Sequence, residues 1–102
     1  MDYKIAALGS QSSMLPFRQI GIDVFHAASG NDLLLQVAQL IKSDYYLFFI
    51  DEDSLSGCME LLTMYDKHPA VTVIPVPGLE ENDIGMGRIR DMVEKALGQS
   101  IL

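Results

Sequence analysis

Residues 45–50, Tyr-Tyr-Leu-Phe-Phe-Ile, are the most hydrophobic run in the chain. A segment so short and so continuously apolar has no polar side to offer to water, which is the pattern of a strand covered on both faces in the middle of a parallel sheet. Parallel neighbours need crossover connections rather than tight hairpins. The run therefore demands further strands alternating with helices in the sequence around it.

The flanking segments meet that demand. Residues 3–8 read as a buried strand, 9–15 as a polar turn, and 17–20 as a short helical segment that Gly21 stops. Residues 22–27 form a second strand, β-branched or aromatic at several positions, and Ser29 to Asp32 offer cap residues for a helix over 32–42 with a broad apolar face. Asp51 to Asp53 close the central strand and can cap a third helix over 54–65, where Leu55, Met59, Leu62 and Met64 stand among polar positions and Gly57 is a weak point. A fourth strand over 70–76 ends at Pro77 and Gly78. The alternation predicts an α/β fold with right-handed crossovers and helices on both faces of the sheet. In class it is Rossmann-like (flavodoxin-like), with a four-stranded parallel sheet in the order 2-1-3-4 and a C-terminal amphipathic helix. Residues 1–77 make the body, 78–84 an acidic hinge loop, and 85–102 the C-terminal partner-binding helix and tail.

Bulk properties narrow the function. A chain of 102 residues with 49% apolar and 21% charged side chains reads as one globular domain. It has no run of about 18 apolar residues and no signal-peptide pattern, so the expectation is a cytoplasmic protein without direct membrane insertion. The single cysteine, Cys58, fits reducing conditions and a packing role. A net charge of −7 disfavours nucleic acid as a partner. That charge is uneven: residues 1–84 carry twelve acids against Lys4, Arg18, Lys42 and Lys67, whereas 85–102 carry Arg88, Arg90 and Lys95 against Asp91 and Glu94. The tail thus suits an acidic surface, although mixed charge is also the ordinary state of a helix surface.

Candidate catalytic chemistry fails position by position. Gly9-Ser10-Gln11-Ser12-Ser13 after the first strand has one glycine, too few for a dinucleotide fingerprint, and the stretch around Gly85 and Gly87 has Arg90 at the third fingerprint position. Asp51, Glu52 and Asp53 stand where a receiver domain is phosphorylated. A receiver also needs an acidic pair after its first strand and a lysine after its last, and Ser10 and Gln11 supply no such pair. The cluster is read as a solvated helix start favoured by the helix dipole. His26 and His68 have no partner at metal or catalytic spacing, and Ser12 and Ser13 lack a nucleophile-elbow context. No cofactor, metal or catalytic residue is expected.

What remains is the tail. Ile89, Met92, Val93, Ala96 and Leu97 recur at spacings of three and four residues, an apolar stripe that must be buried because so short a helix is marginal alone in water. It can close its own sheet or lie along a partner coiled coil. Pro75 and Pro77 stiffen the exit from the sheet, residues 78–83 make an acidic loop, and Pro77, Gly78, Gly85 and Gly87 are the candidate hinge residues.

Over essentially its whole length the chain resembles the F subunit of the rotary V-type and A-type ATPases. The resemblance is carried by Gly9, Ser13, Leu15, Phe17 and Gly21, by Gly21-Ile22-Asp23-Val24-Phe25, and by the apolar third strand followed by Glu52. It continues in Ile74-Pro75-Val76-Pro77-Gly78, Ile84-Gly85, Arg88-Ile89-Arg90, Val93-Glu94-Lys95-Ala96 and the closing stretch from Gly98 to Leu102. The resemblance implies a noncatalytic central-stalk subunit whose body sits beside the coiled coil of the stalk's D subunit while its C-terminal helix packs along it. The catalytic A/B ring and the connector subunit of the membrane rotor are the further partners implied. Rotation of the pair couples ATP hydrolysis or synthesis to proton or sodium transport, with a tail that changes position to regulate hydrolysis. On this reading Ile89, Met92, Val93, Ala96 and Leu97 face the D subunit, and Arg88 and Arg90 make polar contacts with it. Two features depart from the family pattern: Ser10 and Ser12 stand where acids are frequent, and Gly87 stands where a better helix former is common. The alternative reading of the residues is a degenerate receiver-like signalling domain.

Overall fold

The computed structural model describes residues 4–77 together with Lys95. Strands β1 (Lys4–Gly9), β2 (Asp23–His26), β3 (Tyr45–Asp51) and β4 (Thr72–Val76) form one sheet in the order β2-β1-β3-β4, with every pairing parallel. Helices α1 (Gln11–Gln19), α2 (Asp32–Lys42), α3 (Glu52–Ser56) and α4 (Glu60–Tyr65) make the connections. Class, strand order and two-sided helix cover are those expected from the sequence.

β3 is buried on both sides, as its composition requires. Phe48 and Ile50 join Leu33 and Val37 of α2, Leu55 of α3 and Leu61 of α4, while Leu47 and Phe49 join Met14 and Phe17 of α1 on the opposite face. Complete burial of a phenylalanine contributes roughly 1.5 to 3 kcal/mol before entropy is subtracted, so this one strand supplies much of the apolar stabilisation. Its neighbour β1 is built to fit. Ala6 pairs in register with Phe48 and Ala7 with Phe49, so each large ring lies beside a small side chain and both sets of helices can approach the sheet. On the α1 side the Phe17 and Phe49 ring centroids are 5.2 Å apart.

The two edge strands are handled differently. β4 carries Pro75 opposite Ile50, which an edge strand tolerates because the missing N–H need not serve a further neighbour. At the end of β2 the Gln36 carboxamide acts as a substitute strand: its Nε2 donates to the His26 carbonyl and its Oε1 accepts from the Ala28 N–H, both at 2.8 Å. Across the amino end, the Tyr45 hydroxyl donates to Asp23 Oδ2 at 2.7 Å and Phe25 packs edge-on against the Tyr45 ring. That bond to the Asp23 carboxylate, with burial and the nearby negative charge, raises the phenol above its ordinary range.

The first helix differs from the sequence reading. The structure starts it at Gln11, not 17, because Ser10 is extended and its side chain accepts from the Ser13 N–H, giving the first turn its cap. Pro16 lies inside α1 and forgoes only one intrahelical donor. Gly21 ends the helix as expected, at φ 88°. The Gly21 N–H donates to the Arg18 carbonyl and the Ile22 N–H to the Phe17 carbonyl, the paired bonds of a Schellman terminus.

The third predicted helix is two. Three successive bonds of i to i+3 type, from Gly57 N–H to Ser54 carbonyl, Cys58 N–H to Leu55 carbonyl and Leu61 N–H to Cys58 carbonyl, tighten the chain between α3 and α4. The buried residues consequently fall at Leu55, Cys58 and Leu61, a spacing of three, instead of on the stripe expected for a continuous α-helix. Met59 and Met64 are at the surface, at 64% and 56% exposure. Leu61→Ala should lower the unfolding free energy in urea by about 2 to 5 kcal/mol, whereas Met64→Ala should change it by less than about 0.5 kcal/mol. Equal losses for the two variants would contradict the change of helical phase.

Candidate functional site at the carboxyl edge of the sheet

Parallel strands end on one side, and in open α/β sheets that carboxyl edge is where ligands bind. Here Gly9 pairs with His26 and Asp51 with Val76 at the last register positions, so the loops after all the strands meet at this edge. Asp51 is its centre. Only 4% exposed, the side chain uses Oδ1 to accept from the Ser54 N–H at 2.9 Å and Oδ2 to accept from the Ser10 N–H and the Ser13 hydroxyl, both at 3.0 Å. One carboxylate thereby caps α3, holds the residue before α1, and fastens the first turn of α1 to the end of β3.

Gly9 makes the approach possible. A Cβ built there would lie 2.5 Å from Asp51 Oδ2 and 2.8 Å from the terminal methyl of Met14, so an alanine must push the carboxylate or the core aside. The electrostatics agree with the geometry. Burial by itself raises the Asp51 pKa, but the bonds from Ser54, Ser10 and Ser13 favour the charged form and outweigh it, leaving the group below the ordinary aspartate range.

This arrangement corrects the reading of 51–53 as a solvated helix start. Glu52 and Asp53 are exposed in the first turn of α3, whereas Asp51 is internal and committed to three donors. Both α3 and α1 begin beside it, so the helix dipoles act with the hydrogen bonds. The N-cap role was legible in the spacing from Asp51 to Ser54, but the link to Ser10 and Ser13 spans 41 and 38 residues and exists only in the fold.

The other candidate residues have structural tasks or stand apart from the edge's centre. Ser12 is exposed on α1, and Ser13 belongs to the Asp51 network. His26 ends β2 and offers its carbonyl to Gln36, while His68 Nδ1 accepts from the Ala70 and Val71 N–H groups at 3.0 Å and shapes the turn before β4. Cys58 is buried. Among the described residues no group of three or more His, Cys, Asp or Glu side chains is arranged to hold a metal ion, and no helix is long and apolar enough to cross a membrane. Pro77 is exposed just after β4; Gly78, Gly85 and Gly87 of the expected hinge, and Arg88, Ile89, Arg90, Met92, Val93, Ala96 and Leu97 of the expected partner surface, lie outside the described residues. Lys95, between them in sequence, is helical and exposed.

Fold and edge together define a class: a small Rossmann-like α/β domain with an internal carboxylate hydrogen-bonded at the carboxyl edge of its sheet. Comparison with known proteins narrows it. The sequence matches the family described as ATP synthase (F/14-kDa) subunit over residues 5–93. It is 38% identical over 103 aligned residues to the V-type ATP synthase F subunit of Clostridium botulinum (strain Eklund 17B / Type B), covering 100% of both chains. It is 30% identical to the V-type ATP synthase F subunit of Fusobacterium nucleatum, covering 98% of this chain and 96% of the relative. The A-type ATP synthase F subunit of Thermoplasma acidophilum is 27% identical, with 99% and 97% covered. The chain belongs to this family of ATP synthase F subunits.

Two variants test the edge. Asp51→Ala should cost about 2 to 4 kcal/mol of stability at neutral pH, since it removes a buried charged acceptor and strands its donors. The native contribution is present above the unfolded carboxylate pKa and disappears as pH falls through the lowered folded value, so the wild-type advantage in urea should shrink below about pH 4. A gap that stayed constant from neutral to strongly acid pH would rule out the ionised carboxylate as its source. Gly9→Ala should cost about 1 to 3 kcal/mol through overpacking, measured by the same unfolding curves.

Proposed function

We propose that the chain is a noncatalytic central-stalk, or rotor, subunit of a V/A-type ATPase. In this reading it binds the coiled-coil D subunit of the stalk and helps couple ATP hydrolysis or synthesis to proton or sodium transport. The observation that carries the reading is the full-length match to proteins named as F subunits of V-type ATP synthases, together with a family match that runs through residue 93 and so reaches Arg88, Ile89, Arg90, Met92 and Val93 of the tail. The engagement of Asp51 at the carboxyl edge supports the noncatalytic part. The buried acid there is engaged by backbone and serine donors, a structural task that leaves the edge's central group committed.

The body, residues 1–77, serves on this reading as a rigid platform, 78–84 as a hinge, and 85–102 as the gripping segment. Ile89, Met92, Val93, Ala96 and Leu97 bury their stripe against the D subunit, and Arg88 and Arg90 meet its acids. On this reading a helix begun near Gly87 would set the two arginines against its own dipole, which gives a partner's carboxylates a compensating role. The A/B catalytic ring and the membrane rotor's connector subunit are the neighbours beyond the coiled coil. Within such a complex the chain works at the cytoplasmic side, peripheral to the membrane.

Size-exclusion and calorimetric binding to the purified coiled-coil D subunit test the assignment. The full chain should form a stoichiometric complex, and a chain truncated at Gly78 should not. Ile89→Asp combined with Val93→Asp should weaken binding at least about 100-fold, the consequence of removing two buried apolar contacts, while circular dichroism and urea unfolding of the body stay unchanged. Undiminished binding by the truncated chain would refute the grip. Global unfolding of the double variant would assign the helix to the chain's own core.

A further inference from the structure

We draw no further inference here: the strongest candidate, the surface patch at α4 where Met64 and the N-cap Met59 stand exposed, carries nothing because nothing among the described residues shows what covers it.

Discussion

The Asp51 carboxylate ends the most deeply buried strand and takes hydrogen bonds from three residues that lie on either side of the sheet's carboxyl edge. Its strength comes from being ionised in a place that water scarcely reaches, where bonds to a charged acceptor contribute more than neutral ones and an unmade bond is costly. The helices on opposite faces are thereby referred to one point. α1 covers the face of Phe49 and α3 begins the cover over the face of Phe48 and Ile50, yet both are registered against the same side chain. Gly9 is the geometric condition for this, because any larger residue would occupy the volume the carboxylate needs.

That arrangement bears on function as much as on stability. The carboxyl edge of a doubly wound sheet ordinarily keeps polar groups free for a ligand, and here the central one is spent on the fold. Membership of the ATP synthase F-subunit family fits that arrangement, and the proposed grip on a coiled coil assigns the work to the tail while the body supplies rigidity.

The exposed methionines at and just before α4 illustrate how local geometry redirects a sequence pattern. Leu55, Met59 and Leu62 read as one apolar stripe only if the helix runs unbroken at 3.6 residues per turn. At Gly57, the residue with the least helical preference in the segment, the chain tightens into i to i+3 bonds, Cys58 and Leu61 turn inward, and Met59 is left at the surface. Small side chains elsewhere have the opposite effect, preserving the pattern: the alanines of β1 keep the register legible because they match the phenylalanines of β3 one for one.

Sequence by itself determined the alternation and the central position of β3, since a continuous apolar run cannot be satisfied except between two covered faces, and the strand order followed by analogy with the fold class. It also determined the end of α1 at Gly21 and the bounds of α2, where a glycine at positive φ and a regular apolar periodicity act locally. The family resemblance was legible for the same reason, being spread along the whole chain in turn glycines, prolines and the tail. Tertiary structure alone decided that Asp51 is internal, because its partners Ser10 and Ser13 are brought to it by β1 pairing with β3. It alone decided the early start of α1 and the phase of α4, where the weak preferences of serine, proline and glycine left several local conformations close in energy until packing against the sheet selected one.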